Sequence, residues 1–286
     1  MKNIVFEKYQ GNGNDFILID SRKNNLYQDF LSNNILDIKN ICNRQFGIGG
    51  DGLIFITEPK EDNYARMIIY NSDGSEAQMC GNGIRCLVEY LQNNDSTTNK
   101  SIEYKIETKA GLKIAKYINK EISVKMGFPI LDSQLIPTKI ENKTNSLPSH
   151  QFIEKDFNSK GFAVGMGNPH LIFFLENLDS ISLYSLGPLL ENNKLFPEKT
   201  NVHFCKILSR DNINVKVWER GAGATLACGT GACAIHVAAY KLGFCNSKTT
   251  VSLPGGNLKI EWSKEDCEVM MTGNAKKVYS GLMSIN

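Results

Sequence analysis

Two cysteines each stand directly before a glycine-rich turn, and both turns lead into a helical pattern. Cys80 begins "CGNGIRCLVEYL" and Cys228 begins "CGTGACAIHVAA". The start of a helix presents unpaired backbone N–H groups and the positive end of the helix dipole, which attract anions and lower the pKa of a thiol. The pattern therefore predicts two thiols able to act as bases or nucleophiles, each beside an anion site. The amides that would bind the anion are those of Gly81, Asn82, Gly229 and Thr230.

A pair of thiols on either side of one carboxylate suits inversion of the neighbouring α-carbon. One thiolate would remove the α-proton, and the thiol on the opposite face would return one. The amides at the two helix starts would stabilise the enolate-like charge that develops on the carboxylate. This chemistry needs no cofactor in principle, and no lysine that could hold pyridoxal stands inside the repeated motifs.

Two further side chains could exchange protons with the cysteines. His170 follows Gly-Asn-Pro, and Glu219 stands nine residues before Cys228. Such paired bases activate thiols, but spacing alone leaves a capped turn and a surface salt bridge open as alternatives. His203 has the alternation of a strand and no assigned role, and His236 is expected to pack in a helix.

Other interpretations of the motifs fit less well. Zinc ligands usually lie two to four residues apart, whereas Cys80 and Cys86 are separated by five residues and Cys228 and Cys233 by four. On a helix these pairs would diverge, so Cys86 and Cys233 are predicted to face the core, and no metal site is expected. A disulfide between Cys80 and Cys228 is conceivable on oxidation only. The Gly-x-Gly-x-x-Gly match at Gly47–Gly52 is followed by a strand pattern, which is not the context of a dinucleotide fingerprint.

Composition indicates a folded protein of two domains with balanced charge. The chain has 286 residues, 42% of them hydrophobic, and a formal net charge of +2, which gives no reason to expect nucleic acid as a partner. Glu7 and Lys8 interrupt the region where a secretory signal would be apolar. The longest apolar runs, such as Leu171–Leu175, are far shorter than the roughly 20 residues that span a bilayer. We therefore expect a cytoplasmic protein with no membrane partner and with reduced cysteines.

Most of the eight cysteines are expected to be buried, because free cysteine packs as a small hydrophobe. The cysteines assigned to the core on this ground alone are Cys42, Cys205, Cys245 and Cys267.

The order of patterns indicates a duplicated, strand-rich chain. Short apolar or alternating runs recur throughout, and the two strongest helical patterns follow the cysteine motifs. Polar stretches at Asn93–Lys100 and Asp132–Lys160 are predicted to be loops. The two motifs lie 148 residues apart (228 − 80), about half the chain. We therefore predict one half at 1–126 carrying Cys80 and a second at 127–274 carrying Cys228, with a final strand, 275–286, that returns to the first half.

The ordered set of motifs resembles the diaminopimelate epimerase family. The matching segments, in the family's order and over nearly the whole chain, are "GNGNDF", "FGIGGDGL", "YNSDGSEAQMCGNGIRC", "GNPH", "TNVHF" and "ERGAGATLACGTGACA". The resemblance implies an α/β (α+β) fold of two pseudo-symmetric domains, each a curved mixed sheet around a central helix, with the active site in the cleft between them. It also implies a homodimer that interconverts LL- and meso-diaminopimelate without pyridoxal or metal.

The resemblance assigns roles to individual residues. Cys80 and Cys228 become the acid and base, with His170 and Glu219 as their proton partners. The family positions that contact substrate are matched by Asn14, Asn71, Asn168, Asn201, Glu219 and Arg220, in addition to the four amides named above. A guanidinium fork suits a distal carboxylate, which gives Arg220 a chemical reason for its role.

Two departures from the family pattern affect the expected substrate contacts. Gly52 stands where some members have glutamine, and Ala224 replaces a usual glutamate. The alternatives left open are a proline or hydroxyproline racemase-like enzyme and a thiol redox or zinc-binding module without catalytic activity.

Overall fold

A computed structural model describes residues 2–24, 26–33, 37–95, 103–141, 147–154 and 156–285. The chain forms two compact units, residues 1–124 with 273–286 and residues 125–272. Within the described ranges, the helices are all too short or too polar to cross a membrane.

The first unit is a mixed sheet with three helices. Its strands are β1 Lys2–Gly11, β2 Asn14–Asp20, β3 Gly52–Thr57, β4 Ala65–Asn71, β5 Glu76–Ala77, β6 Glu103–Thr108, β7 Gly111–Ile118, the start of β8 Glu121–Gly127, and β18 Lys276–Ile285. Its helices are α1 Leu26–Asn33, α2 Ile38–Cys42 and α3 Gly81–Asn94. The strand order is β18-β1-β2-β3-β4-β6-β7-β8, and only the β2–β3 and β4–β6 pairs are parallel.

The second unit repeats this plan. Its strands are β9 Ser149–Glu154, β10 Phe157–Gly165, β11 Pro169–Phe174, β12 Asn201–Ser209, β13 Asn212–Glu219, β14 Gly223–Ala224, β15 Lys248–Leu253, β16 Gly256–Glu261 and β17 Val269–Gly273. Its helices are α4 Leu183–Glu191 and α5 Gly229–Lys241. The order β9-β10-β11-β12-β13-β15-β16-β17 has parallel pairs at β11–β12 and β13–β15 only.

The two sheets therefore share one sequence of pairings: antiparallel, antiparallel, parallel, antiparallel, parallel, antiparallel, antiparallel. In this correspondence β18, the last strand of the chain, takes the place in the first unit that β9 takes in the second. The duplication inferred from the cysteine motifs is thus present in the hydrogen-bond pattern of the backbone.

A helix lies at the centre of each sheet. Helix α3 packs against β18, β1 and β2, which lie near one end of the strand order, and against β7 near the other end. Helix α5 packs in the same way against strands towards both ends of the second sheet, namely β10, β11, β12, β15 and β16. Both helices are buried on nearly every face, which requires the sheet to curve around them. This confirms the predicted mixed α/β fold.

Aromatic side chains pack between β11 and β12, the two strands of the second unit that carry His170 and His203. The Phe173 and Phe204 rings stack with centroids 5.5 Å apart on the paired strands β11 and β12, and Phe157 packs edge-on against both. Burial of each such ring stabilises the fold by roughly 1.5–3 kcal/mol. The neighbouring positions His170 and His203 are therefore held on a rigid base.

The predicted loop at Asp132–Lys160 is partly wrong. Residues Ser149–Glu154 form β9, and β10 begins at Phe157. In β9 only Phe152 is fully buried, so this exposed strand lacks the apolar pattern that identifies a strand from sequence. Within the other predicted loop, Asn93 and Asn94 end α3, and residues 96–100 lie outside the described residues.

The burial of the cysteines agrees with prediction except at one position. Cys86 and Cys233 face the core as predicted, and Cys42, Cys205 and Cys245 are also buried. Cys267 is exposed, so its assignment to the core was wrong. It follows the polar run Lys264–Asp266, and its thiol points to the carboxylate of Asp266 at 3.6 Å.

Candidate active site

In the first unit the Cys80 thiol contacts a predicted substrate-binding residue. Cys80 is the N-cap of α3, with extended backbone dihedrals (φ −141°, ψ 118°). Its Sγ lies 3.8 Å from Asn14 Oδ1, and the Asn82 amide donates to the same oxygen at 3.2 Å. The half-buried thiol is thus placed where the first turn of α3 meets the start of β2.

An ion-pair network orients Asn14. Its Nδ2 donates to Asp51 Oδ2 at 2.8 Å, and Arg44 bridges Asp51 and Asp15 at 2.8 and 2.6 Å. Burial alone would raise the pKa of Asp15, but hydrogen bonds from Arg44 and Lys8 hold it well below its ordinary value. Asp15 therefore stays charged and keeps the network intact at neutral pH.

A buried arginine supports the turn before Asn14. Arg85 lies on α3 with no exposed surface, and its Nη2 donates to Asn12 Oδ1 at 2.7 Å while its Nε donates to Asn274 O at 3.3 Å. Asn12 has φ +57°, a conformation in which asparagine is one of the few tolerated residues. Sequence reasoning left Arg85 out, although it lies inside the quoted cysteine motif.

The remaining predicted positions of the first unit have simpler surroundings. Asn71 is exposed at the end of β4, where its Nδ2 donates to Ser75 Oγ at 3.0 Å. Gly81 and Asn82 lie ahead of the first helical hydrogen bond, from Ile84 N to Cys80 O. At the departure noted above, a Cβ on Gly52 would lie 2.5 Å from Tyr70 O, so this backbone leaves no room for a glutamine side chain.

In the second unit Cys228 occupies the equivalent N-cap position of α5. Its Sγ accepts from Gly231 N at 3.3 Å and lies 3.6 Å from Thr230 Oγ1. Gly229 and Thr230 again precede the first helical hydrogen bond, from Ala232 N to Cys228 O. The thiol is almost completely buried, with 3% of Cys228 exposed.

The prediction of a lowered pKa is wrong for Cys228. Burial raises the pKa of this thiol well above its usual value, and the adjacent Glu219 carboxylate raises it further, against smaller opposing effects from Thr230 and the Gly231 amide. A helix start contributes only about 0.3–1 kcal/mol in ordinary settings, which is less than the cost of burying a thiolate. Cys228 is therefore a protonated acid at neutral pH.

Two histidines accompany Cys228, one of which sequence reasoning did not assign. One nitrogen of His170, one of His203 and the Cys228 Sγ all lie within 4.8 Å of one another. His170 Nδ1 is 2.9 Å from His203 Nε2, and His170 Nε2 is 2.9 Å from Asn168 Oδ1. Asn168 Oδ1 can only accept, so His170 Nε2 carries the proton and donates to it. His170 Nδ1 is then unprotonated and accepts a hydrogen bond from His203 Nε2–H.

The structure therefore gives His203 a place in the site. It lies on β12 in a run of five buried residues. The signal that could have identified it is its place between the apolar Val202 and Phe204, since a fully buried histidine requires a partner. His203 Nδ1 has no hydrogen-bond partner among the described residues.

The same cluster has the donor types of a metal site but not its geometry. The facing nitrogens of His170 and His203 are hydrogen-bonded to each other across 2.9 Å, whereas the lone pairs of metal ligands converge on a common point. The arrangement is that of a proton-sharing pair beside a thiol.

The turn after β13 brings Glu219 and Arg220 to this site. Glu219 Oε1 accepts from Thr225 Oγ1 at 2.5 Å. The Arg220 amide donates to Asn201 Oδ1 at 3.0 Å, and Asn201 Nδ2 donates to Pro169 O at 2.9 Å. Asn201 thus connects this turn to the strand that carries His170.

The buried histidines predict acid-sensitive stability. Burial lowers the pKa of His203 to about 3 and of His236 to about 4, and lowers that of His170 well below its usual value. The unfolded chain binds these protons below pH 6.5 and the folded chain does not, so their contribution is complete above pH 6.5 and is lost progressively as the pH falls towards the folded values. We expect His203 and His236 each to lower the free energy of unfolding by about 2 kcal/mol between pH 7 and pH 5, and His170 to lower it further, as measured by urea unfolding at the two pH values.

The control for this prediction is His236→Leu, since His236 lies outside the cluster around Cys228. Between pH 7 and pH 5, the free energy of unfolding should fall by about 2 kcal/mol less in the variant than in the unsubstituted chain, because one buried histidine has been removed. An equal loss in both proteins would contradict the assignment to buried histidines.

The fold places the chain in a known structural class. It superposes on a Bacillus anthracis phenazine biosynthesis protein of the PhzF family with TM-score 0.64 and 16% identity, covering all of both chains. It also superposes on a hydroxyproline epimerase from Agrobacterium vitis, solved with bound trans-4-hydroxy-L-proline, with TM-score 0.67 and 10% identity over 98% of this chain and 92% of that one. The class is therefore the duplicated α/β fold shared by PhzF-like and proline racemase-like proteins.

Sequence comparison narrows the class to one family. The family profile described as "Diaminopimelate epimerase" matches residues 6–131 and 162–278. A protein named diaminopimelate epimerase from Prochlorococcus marinus (strain NATL2A) is 50% identical over 287 residues, covering all of both chains. The chain belongs to the diaminopimelate epimerase family, and it is an isomerase.

Proposed function

We propose that this isomerase interconverts LL- and meso-2,6-diaminopimelate by a two-thiol mechanism that uses Cys80 and Cys228. The observation that carries the proposal is the repeated N-cap cysteine, which occurs at the same place in two units with the same pairing order. Family membership supplies the substrate. Chemically, the α-C–H bond breaks as its proton passes to a thiolate, and a new C–H bond forms with the proton of the other thiol.

Cys228 acts as the acid in the resting enzyme, because its buried thiol stays protonated. Cys80, the less buried cysteine, is then the thiolate that removes the proton. After one turnover the protons have exchanged places, so the reverse reaction needs Cys228 as the base. Glu219 and His170 lie beside Cys228 and can take or return its proton.

The first turns of α3 and α5 bind the carboxylate next to the reacting carbon. The amides involved are those of Gly81, Asn82, Gly229 and Thr230, and such donors stabilise charge that develops in the transition state. Arg220 and the side chains of Asn14, Asn71, Asn168 and Asn201 recognise the distal amino acid end. A guanidinium bound to the second carboxylate would discriminate against shorter amino acids.

A homodimer forms part of the proposal, as the family resemblance implies. The paired strands β1 and β18 place the exposed apolar side chains of Val5 and Leu282 directly opposite each other on one face. Exposed apolar side chains of this kind are one feature of contacts between protein subunits.

Deuterium incorporation from heavy water tests the reaction. We expect the enzyme to introduce deuterium at the α-carbon of diaminopimelate during inversion, since the returned proton comes from a thiol that exchanges with solvent. L-proline and trans-4-hydroxy-L-proline should remain unlabelled, because they lack the distal carboxylate for Arg220. Labelling is read by mass spectrometry. If either imino acid were labelled and diaminopimelate were not, the proposal would be wrong, and the enzyme would act as a proline or hydroxyproline racemase.

A further inference from the structure

A buried carboxylate holds both sides of the Glu219–Arg220 dipeptide. Glu191 is the last residue of α4 and only 6% exposed. Its Oε2 accepts from the indole Nε1 of Trp218 at 2.7 Å, and its Oε1 accepts from the backbone N of Gly221 at 2.9 Å. Both carboxylate oxygens are therefore used, one on each side of the dipeptide.

One face of α4 is shaped to receive Trp218. A Cβ on Gly187 would lie 2.3 Å from the indole Cδ2, so the ring can pack here only against glycine. Tyr184 contacts the indole edge-on with centroids 6.0 Å apart. Tyr184, Gly187 and Glu191 are spaced three and four residues apart, which places them on the same side of the helix.

The other contacts of the turn complete its support. Gly221 has φ +76°, a left-handed conformation suited to glycine. The Glu191 backbone carbonyl accepts from Thr200 N at 3.2 Å, next to Asn201, whose Oδ1 holds the Arg220 amide. Glu191 thus fixes the turn directly through its carboxylate and indirectly through the start of β12.

From these contacts we propose that Glu191 is a positioning residue, which sets the Glu219 carboxylate beside Cys228 and fixes the backbone of Arg220. The Arg220 guanidinium donates to Glu198 O at 3.0 Å and turns to bound substrate from this fixed position. The inference rests on the proposed function for the roles of Glu219 and Arg220. Glu191 acts through the Glu219–Arg220 dipeptide and not on substrate or thiol directly. Its charge suits the task, because an ionised carboxylate accepts from both N–H groups, whereas a neutral amide must direct an NH₂ group towards one of them.

The test is Glu191→Gln, with exposed Glu176→Gln as the charge-matched control. We expect the Glu191 variant to lose at least about tenfold in kcat, as loss of a charge-assisted hydrogen bond predicts, and to show a raised KM for diaminopimelate. Displacement of both Glu219 and Arg220 explains why the two constants change together. Partial misfolding would instead lower kcat at constant KM, and this result would overturn the inference. The Glu176 variant should match the unsubstituted enzyme.

Indole NMR signals supply a readout that is independent of activity. The chain has two tryptophans, and the second, Trp262, donates to the neutral carbonyl of Cys267 at 3.1 Å. In Glu191→Gln the indole N–H signal of Trp218 should move upfield while that of Trp262 stays in place, with assignment by Trp262→Phe. An unmoved Trp218 signal would contradict the hydrogen bond, and a moved signal with unchanged kcat and KM would contradict the positioning role.

A second variant keeps the inference testable if Glu191→Gln fails to fold. Trp218→Phe keeps an aromatic ring against Gly187 and removes the indole donor together with the ring atoms that lie near Gly223. The hydrogen bond from Gly221 to Glu191 stays, so the variant should show a smaller change in kcat and KM of the same kind. Unchanged constants in this variant would overturn the inference. Absence of diaminopimelate turnover in the unsubstituted enzyme would refute the proposed function, while the Trp218 signal would still report whether Glu191 holds the turn.

Discussion

Replacement of either Cys80 or Cys228 by alanine is expected to abolish inversion of diaminopimelate, with a loss in kcat of at least about 10³-fold. Each thiol supplies a proton transfer that is typically worth 10²–10⁴-fold. Inversion needs both transfers, so neither remaining thiol can compensate. Turnover is measured with LL-diaminopimelate and with the meso isomer as the starting substrate.

The single variants should still differ from each other in isotope exchange. A remaining thiol can remove and return a proton on its own face, so each variant should exchange the α-proton of one stereoisomer with heavy water and leave the configuration unchanged. The two variants should prefer opposite stereoisomers. Exchange of the same stereoisomer by both variants would place the two thiols on one face of the carbon and reject the two-base mechanism.

Buried cysteines on the same helices provide the matched controls. Cys86 on α3 and Cys233 on α5 are completely buried, and burial raises the pKa of Cys86 above its usual range. Cys86→Ala and Cys233→Ala should therefore retain turnover and lose a modest amount of stability, on the order of 1 kcal/mol, from the removed sulfur. Loss of turnover in these variants would indicate that the effect comes from helix packing.

The parts of the site that were predicted from sequence depend on local patterns. Each cysteine, the two glycines near it and the helix that follows form a continuous segment, so their arrangement is fixed by short-range geometry. The duplication was also visible, because the same segment occurs twice. The return of the final strand to the first half was predicted as well, but its pairing partner was not, because no local pattern specifies the pairing between Lys2–Gly11 and Lys276–Ile285.

The parts that were missed depend on burial and on contacts between distant residues. The sign of the Cys228 pKa shift was wrong because a helix start is visible in sequence and desolvation is not. His203 was assigned no role because its neighbour His170 lies on another strand, in a register that only the sheet provides. Glu191 was missed for the same reason, since its partners Trp218 and Gly221 follow about thirty residues later.

The assignment of individual residues to substrate contacts stays a prediction. Asn14 and Asn201 show why, because both have structural contacts of their own. Asn14 bonds to Asp51 and lies beside the Cys80 thiol, and Asn201 joins Pro169 O to the Arg220 amide. Such residues can hold the site in shape and bind ligand with their remaining capacity, because an amide offers two donors and two acceptor lone pairs.

The second large effect is expected from Gly231→Ala, a substitution that a helix would ordinarily favour. Alanine is better than glycine inside a helix by about 1 kcal/mol. At this position, however, the added Cβ would lie 2.4 Å from His203 Cε1, 2.8 Å from His203 Nε2 and 3.0 Å from Cys228 Sγ. The His203 ring must move, and its Nε2 is the atom bonded to His170. We expect a loss of about 1–3 kcal/mol in the free energy of unfolding from overpacking and a fall in kcat of at least about 10²-fold from the displaced proton partners.

The equivalent glycine of the first unit makes the comparison specific. A Cβ on Gly83 would meet the flexible tip of Ile54 at 3.1 Å and the Cβ of Cys80 at 3.4 Å, contacts that a small side-chain shift can relieve. Gly83→Ala should therefore change the free energy of unfolding by less than about 1 kcal/mol, since the helix-propensity gain offsets mild crowding. Its kcat should fall far less than that of Gly231→Ala. Equal kcat values for the two variants would show that the histidine pair beside Cys228 takes no part in turnover, because disruption of that pair is what distinguishes the two substitutions.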